Sequence, residues 1–192
     1  MLAEVLIAGF GGQGILSTGQ LLACAGMREG LHVAWIPSYG PEMRGGTANC
    51  GVTLSDTEIS SPLVTEPNVL IAMNGPSLEK YGPAVVPGGV ILYNSSLIKN
   101  YRPWPGILVL GVDANRVAEE IGDVRVAANV VLGAYIGLSG VISVAAAVAA
   151  LKEVLPAHRH KLIPANQRAL EQGAALGAAF KGVPAEERLA SG

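Results

Sequence analysis

The residues with the most chemistry to offer lie between Ala8 and Gly14, where the chain reads Ala-Gly-Phe-Gly-Gly-Gln-Gly. The glycines of a G-x-G-x-x-G pattern fall at Gly9, Gly11 and Gly14, with Gly12 added. An apolar run, Val5-Leu6-Ile7, precedes them and a segment with helical spacing follows. A strand, a glycine turn and a helix N-terminus in that order can hold an anion. No Cβ blocks approach to the backbone amides, and the helix start carries partial positive charge. Gly11, Gly12, Gln13 and Gly14 are therefore candidate phosphate contacts. The same spelling also serves as a plain tight strand-to-helix turn, and spacing alone does not separate the two readings.

A second informative stretch is Ser38-Tyr39-Gly40-Pro41-Glu42-Met43-Arg44-Gly45-Gly46. Gly40-Pro41 and Gly45-Gly46 force turns at its two ends. Between them stand an acid, a thioether and a guanidinium, groups suited to a partner surface or an anionic ligand. A compact loop closed by an Arg44–Glu42 pair is the competing reading. A third stretch, Asn94-Ser95-Ser96, follows an apolar run and so stands at a strand's carboxyl end, where ligands collect in open α/β sheets. Helix capping or a turn accounts for it equally well.

Other chemistry is missing. A Rossmann site for NAD needs an acid near the end of the second strand to hold the ribose hydroxyls, and this chain offers Pro37, Ser38 and Tyr39 there. No Walker lysine follows the glycine loop, and no serine sits in a G-x-S-x-G elbow. His32, His158 and His160 have no metal-ligand spacing, so neither a metal site nor a catalytic residue is expected.

The elements that must position these stretches follow from periodicity. Glu4 to Ala8 reads as a strand buried on both faces. Gln13 to about Glu29 reads as a helix whose Ile15, Gly19, Leu22 and Gly26 form a stripe of small residues against a sheet, ended by Gly30. Val33 to Ile36 is a second strand. Thr47 to Leu54 and Ile59 to Ser61, joined by the polar Ser55–Glu58 turn, predict a hairpin. Strands at Val69 to Met73, Val90 to Tyr93 and Ile107 to Leu110 alternate with short helices, the first capped by Asn74 or Ser77 and the second by Asp113. From Val126 to Leu151 no charged residue occurs, long enough for a membrane span. Gly137, Ser139 and Gly140 break it and Ser143 can cap its second half, which predicts two buried helices instead. Pro164 to Phe180 is a last helix. The expected fold is thus α/β: a Rossmann-like, mostly parallel sheet flanked by helices, with a β-hairpin insertion and a helical C-terminal part. Residues 1–181 are read as a single domain and 182–192 as a loose tail.

Composition bounds the function. Only 15% of the 192 residues are charged, against about 25% for an ordinary soluble domain, which predicts surface covered by partner subunits. A net charge of −2 and few aromatics leave no nucleic-acid footprint. Cys24 and Cys50 are the two cysteines and form no framework, and the first strand begins at once, so a reducing cytoplasm without a signal peptide is expected.

Taken jointly, Gly9-Phe10-Gly11-Gly12-Gln13-Gly14, the Tyr39–Gly46 loop, Ser55-Asp56 with Ile59 and Ser61-Pro62, and Asn94-Ser95-Ser96 resemble the gamma subunit of 2-oxoacid:ferredoxin oxidoreductases of the 2-oxoglutarate, branched-chain or pyruvate type. Indolepyruvate-type relatives share the glycine loop and the Arg-Gly-Gly run. The resemblance implies oxidative decarboxylation of a 2-oxoacid, with coenzyme A acylated and ferredoxin reduced. It also implies alpha, beta and ferredoxin-like delta partners that carry thiamine diphosphate, magnesium and iron–sulfur clusters. Two cysteines cannot supply the four thiolates of a [4Fe–4S] cluster, which agrees. On this reading Gly11, Gly12, Gln13 and Gly14 contact the coenzyme A phosphates, supported by Asn94, Ser95 and Ser96. Tyr39, Pro41, Glu42, Arg44 and Gly45 then lie at a subunit junction near the active site. A stand-alone nucleotide- or flavin-binding protein and a purely structural adaptor are the alternatives. A homodimer of the isolated chain is compatible with all of them.

Overall fold

The computed structural model describes residues 1–39, 47–100 and 104–182. Strand β1 (Leu2–Phe10) is the centre of the sheet, because its Val5-Leu6-Ile7-Ala8 run is buried on both faces. The other strands are β2 (His32–Tyr39), β3 (Thr47–Ser55), β4 (Val69–Ala72), β5 (Val90–Asn94) and β6 (Leu108–Val112). They form one six-stranded sheet in the order β2-β3-β1-β4-β5-β6. The pairs β1–β4, β4–β5 and β5–β6 are parallel, while β3 runs antiparallel to both β1 and β2. Five strands thus share one direction and β3 alone opposes it.

Helix α1 (Ile15–Arg28) links β1 to β2, and β3 then returns into the gap left between them. The expected hairpin is corrected here. Thr47–Ser55 does form a strand, but Ile59 to Ser61 does not follow as its partner; β3 pairs instead with β2 and β1. Pro62 and Pro67 deprive the 56–68 segment of ladder donors, so it crosses the sheet face, with Val64 against Gly51. Pro37 is tolerated in β2 because β2 is an edge strand.

Alternate residues of each strand point to two unequal layers. One side carries α1, α3 (Ala114–Ile121), α4 (Ala127–Ser139), α5 (Val144–Val154) and α6 (Ile163–Lys181), packed with Val5, Ile7, Val52, Ile71 and Leu92. The other carries α2 (Gly75–Tyr81) and connecting segments over Leu6, Leu70, Ile91 and Val109. The stripe on α1 behaves as the spacing predicts. Gly19 lets the helix settle on Cys50 and Trp35, and Gly26 on Leu54. A Schellman motif ends α1, with Gly30 N–H donating to the Met27 carbonyl and Leu31 N–H to that of Gly26.

The long apolar stretch does divide into two helices, α4 and α5, with Gly140 at positive φ and the Ser143 hydroxyl accepting from Ala146 N–H. Gly137 is not part of the break. It lies inside α4, where Gly133 and Gly137 meet the Leu170 and Ala174 carbonyls of α6, and Gly173 and Gly177 of α6 in turn meet the Val130 and Ala134 carbonyls of α4. Among the described residues no helix is long and apolar enough to cross a membrane.

Candidate anion-binding site

The glycine loop stands at the carboxyl end of β1, and each glycine has a separate cause. A Cβ on Gly9 would lie 2.6 Å from Gln13 Oε1 and from Ile15 Cδ1, so this position is glycine for close packing. Gly12 and Gly14 have φ of +89° and +80°, the left-handed region where a Cβ is strained. Gln13 is the brace of the turn. Its Oε1 accepts from Phe10 N–H at 2.7 Å and from the Asn74 amide at 3.3 Å. Asn74 in turn caps α2 by accepting from Ser77 N–H, as its position predicts. Gln13 thereby ties the carboxyl ends of β1 and β4, the point where the chain turns to opposite sides of the sheet.

Helix α1 begins without a side-chain cap. Its first backbone bond runs from Thr18 N–H to the Gly14 carbonyl, which leaves the amides of Ile15, Leu16 and Ser17 without a helical acceptor. Among the described residues none accepts from the Gly11, Gly12 or Gly14 amides either. Gly11 and Gly12 are exposed, and nothing lies within 4 Å of where a Cβ on Gly12 would stand. The loop therefore presents donors to open space.

That space is a cavity of about 550 Å³ beside α1, whose lining includes Gly12, Gly14, Ser17, Arg125, Arg159 and Lys161. The starts of α1, α4 and α6 all contribute to it, and none has an acidic residue in its first turn or a side-chain cap. Its floor is a polar chain that runs between the buried Thr18 and Asn166 through the partly buried Asn129. Thr18 Oγ1 donates to Asn129 Oδ1 at 3.0 Å, Asn129 donates to Asn166 at 2.6 Å, and Asn166 donates to the Leu162 carbonyl at 2.8 Å. Among the described residues Asp123 is the one carboxylate on the lining. Arg125 grips it with two hydrogen bonds of 2.7 and 2.8 Å, which hold the Asp123 carboxyl below its usual range. The site is thus built to receive negative charge.

Sequence spacing found the loop but not the cavity's other wall. His158, Arg159 and Lys161 all line the cavity from the 3₁₀ segment Ala157–Leu162. The signal was four successive bases, His158-Arg159-His160-Lys161, in a chain otherwise poor in charge.

Asn94, Ser95 and Ser96 stand on the same carboxyl edge, two strands away at the end of β5. Asn94 is fully buried, its amide donating to Asn115 at 2.8 Å and its carbonyl accepting from Ser96 N–H. The Ser96 hydroxyl donates to Asp113 and accepts from Asn115 N–H at 2.9 Å. This corrects the expected cap of α3. Asp113 holds the N-cap position, but its carboxylate turns to Ser96 and Arg116, and Ser96 does the capping. Of the loop read as a subunit junction, Pro41, Glu42, Arg44 and Gly45 lie outside the described residues. Tyr39 ends β2, its backbone paired with Ala48.

The described side chains offer no reactive nucleophile. Burial pushes the Cys50 thiol up to about 11, and the half-buried Cys24 is also raised, by burial and then by Glu153. No group of three or more His, Cys, Asp or Glu among the described residues is arranged to hold a metal. A dinucleotide site is disfavoured on geometry as well as sequence. With β3 interposed, the end of β2 stands two strand spacings, about 10 Å, from β1.

The fold and site therefore define an α/β unit that presents backbone amides and cations to an anion. Comparison with known proteins gives the family. Residues 4–176 match the pyruvate ferredoxin/flavodoxin oxidoreductase family, and the chain belongs to it. It is 43% identical over 176 residues to the ketoisovalerate oxidoreductase subunit VorA of Methanothermobacter thermautotrophicus, covering 89% of this chain and 35% of that protein. The chain thus spans about a third of the length of the ketoisovalerate relatives it matches. It is 36% identical over 163 residues to the 2-oxoglutarate synthase subunit KorC of Methanothermobacter marburgensis, covering 81% of this chain and 88% of that one. Among solved structures, the gamma subunit of a keto/oxoacid ferredoxin oxidoreductase from Geobacter sulfurreducens superposes with a TM-score of 0.79, at 29% identity, covering 92% of this chain and 99% of the other. The 2-oxoglutarate:ferredoxin oxidoreductase of Magnetococcus marinus, solved with 2-oxoglutarate, coenzyme A and succinyl-CoA bound, gives a TM-score of 0.82 at 26% identity. That match covers 93% of this chain and 31% of the enzyme's. The resemblance to gamma subunits and the expected α/β fold are both borne out.

Proposed function

We propose that this chain acts as the gamma subunit of a 2-oxoacid:ferredoxin oxidoreductase and carries part of its coenzyme A site. The observation that supports this most is the uncapped start of α1, where Gly12 and Gly14, whose amides have no described acceptor, line an acid-poor cavity. A diphosphate resting there gains charge-assisted hydrogen bonds without displacing any protein partner. Gln13 holds the loop in shape, and Asn94, Ser95 and Ser96 stiffen the neighbouring edge. Thiamine diphosphate, magnesium and the iron–sulfur clusters belong to alpha, beta and delta partners, and ferredoxin takes the electrons, in the cytoplasm. Tyr39, Pro41, Glu42, Arg44 and Gly45 form the junction with those partners. The chain's own part is to bind and orient, and the 2-oxoacid is chosen elsewhere in the assembly.

The test is a tagged purification from the native host, followed by mass spectrometry, an absorption spectrum and a coenzyme A titration. Thiamine-subunit partners, iron–sulfur absorption and binding that Gly12→Asp abolishes are the expected results. A colourless chain that purifies alone and ignores coenzyme A overturns the proposal.

A further inference from the structure

The glycine loop uses only part of the cavity. Gly14 and Leu21 both line it, so it follows α1 for about 10 Å, more than one phosphate or diphosphate needs. Beyond the loop the lining combines apolar residues such as Leu151, Val154 and Leu162 with basic ones from two other segments, Arg125 ahead of α4 and His158, Arg159 and Lys161 ahead of α6. Arg125 is occupied by Asp123. Arg159 and Lys161 make no side-chain hydrogen bond or ion pair with any described residue. Neighbouring His160 differs, since its ring nitrogen is bound to the Leu155 carbonyl at 2.9 Å. Among cations elsewhere, Arg28 pairs with Glu153, Arg116 with Asp113 and Glu120, and Lys99 bonds the Ser95 carbonyl, while Lys152 and Lys181 have no such partner among the described residues and do not line this cavity. Arg159 and Lys161 thus stand without a described side-chain partner on the wall of one cavity, beside two helix starts that no side chain caps and above a floor already satisfied by its own hydrogen bonds.

We propose that Arg159 and Lys161, flanked by Arg125 and His158, bind a phosphomonoester of the same ligand whose diphosphate lies on the Gly11–Gly14 loop. For coenzyme A that group is the ribose 3′-phosphate, so the chain reads the nucleotide end of the cofactor at two separate points. The inference rests on the coenzyme A reading above and adds a discrimination that reading does not require. A dianionic phosphomonoester suits this wall better than a carboxylate, because two cations from different positions can share its oxygens.

The experiment is calorimetric titration of the full chain, and of the complex purified with its partners, using coenzyme A and 3′-dephospho-coenzyme A. The wild type should bind coenzyme A about tenfold more tightly than the dephospho form, the ratio expected of charge-assisted bonds to one added phosphate. In the Arg159→Ala/Lys161→Ala variant the two ligands should bind alike, at the weaker affinity. The preference should also shrink as salt is raised. Both positions are exposed, so the variants should fold, and Lys99→Ala serves as the control that leaves the ratio unchanged. Equal wild-type affinities for the two ligands overturn the second phosphate site and leave the coenzyme A reading standing. Binding of neither ligand, in chain or complex, overturns that reading and this inference with it.

Discussion

Glycine is used in two opposite ways in this chain. Along the α4–α6 seam a Cβ on Gly133, Gly137, Gly173 or Gly177 would come within 2.0–2.3 Å of a carbonyl oxygen of the facing helix. At the turn after β1, a Cβ on Gly12 meets nothing within 4 Å, and one on Gly14 meets only Ala128 at 3.9 Å. The first set is glycine because neighbours are already there. The second combines left-handed backbone with space left open beside it. An empty neighbourhood at a glycine turn proves nothing by itself, but here the space is lined by free amides and unpaired cations. Packing explains the seam completely, whereas at the loop no packing contact accounts for Gly12.

The comparison breaks first at the seam. Gly137→Ala should destabilise the chain by about 3 kcal/mol, because α4 and α6 must move apart to admit the methyl, and the roughly 1 kcal/mol gained in helix propensity does not offset this. Urea unfolding checks it, and a loss below about 1 kcal/mol would show the seam to be looser than its geometry. Next comes the cavity floor. Asn129→Ala removes the middle of the Thr18–Asn129–Asn166 chain and leaves a buried hydroxyl and a buried amide without that partner. A cost of about 2 kcal/mol is expected in the same measurement.

Much of this was legible in the sequence, for physical reasons that can be named. The α1 stripe, the Asn74 and Ser143 caps and the Gly30 terminus are local, set by residues within one or two turns of each other. The place of β3 was not local. Its own alternation shows a strand, but which neighbours it takes depends on α1 carrying β2 past the gap that β3 fills. Gly137 was misread as a breaker because the reason for it lies on α6, some forty residues on. The loop half of the site was visible as a motif. The basic half was not, since Arg125 and Lys161 come to line one cavity only after α4, α5 and the Ala157–Leu162 turn fold against α1.

A smaller effect sharpens the contrast at the loop. Gly12→Ala and Gly30→Ala both place a methyl on a left-handed residue with nothing within 4 Å, at the start and just past the end of α1. Each should cost about 1 kcal/mol of stability from backbone strain alone. On the proposed function only Gly12→Ala should weaken coenzyme A binding, by about tenfold or more, since its methyl would enter the space assigned to the phosphates. Equal binding by the two variants would reduce Gly12 to a turn residue.

The smallest effect concerns Ser96, where the carboxyl edge is held by protein rather than ligand. Ser96→Ala should cost about 1 kcal/mol at neutral pH, the usual loss for an N-terminal cap, because Asn115 N–H loses its acceptor. Ser96 is also the first cause, ahead of Arg116, that holds the Asp113 carboxyl below its ordinary 3.8. A carboxyl lowered in the folded state adds stability above about pH 4, and that part disappears as pH falls through the folded value. The variant lacks most of this contribution from the outset. The gap between wild type and Ser96→Ala should therefore be widest at pH 7 and narrow towards pH 3 in urea unfolding, with coenzyme A affinity at pH 7 changed little. A gap constant across that range would mean that Ser96 acts on the helix start alone, and that the Asp113 carboxyl takes no part in holding this edge.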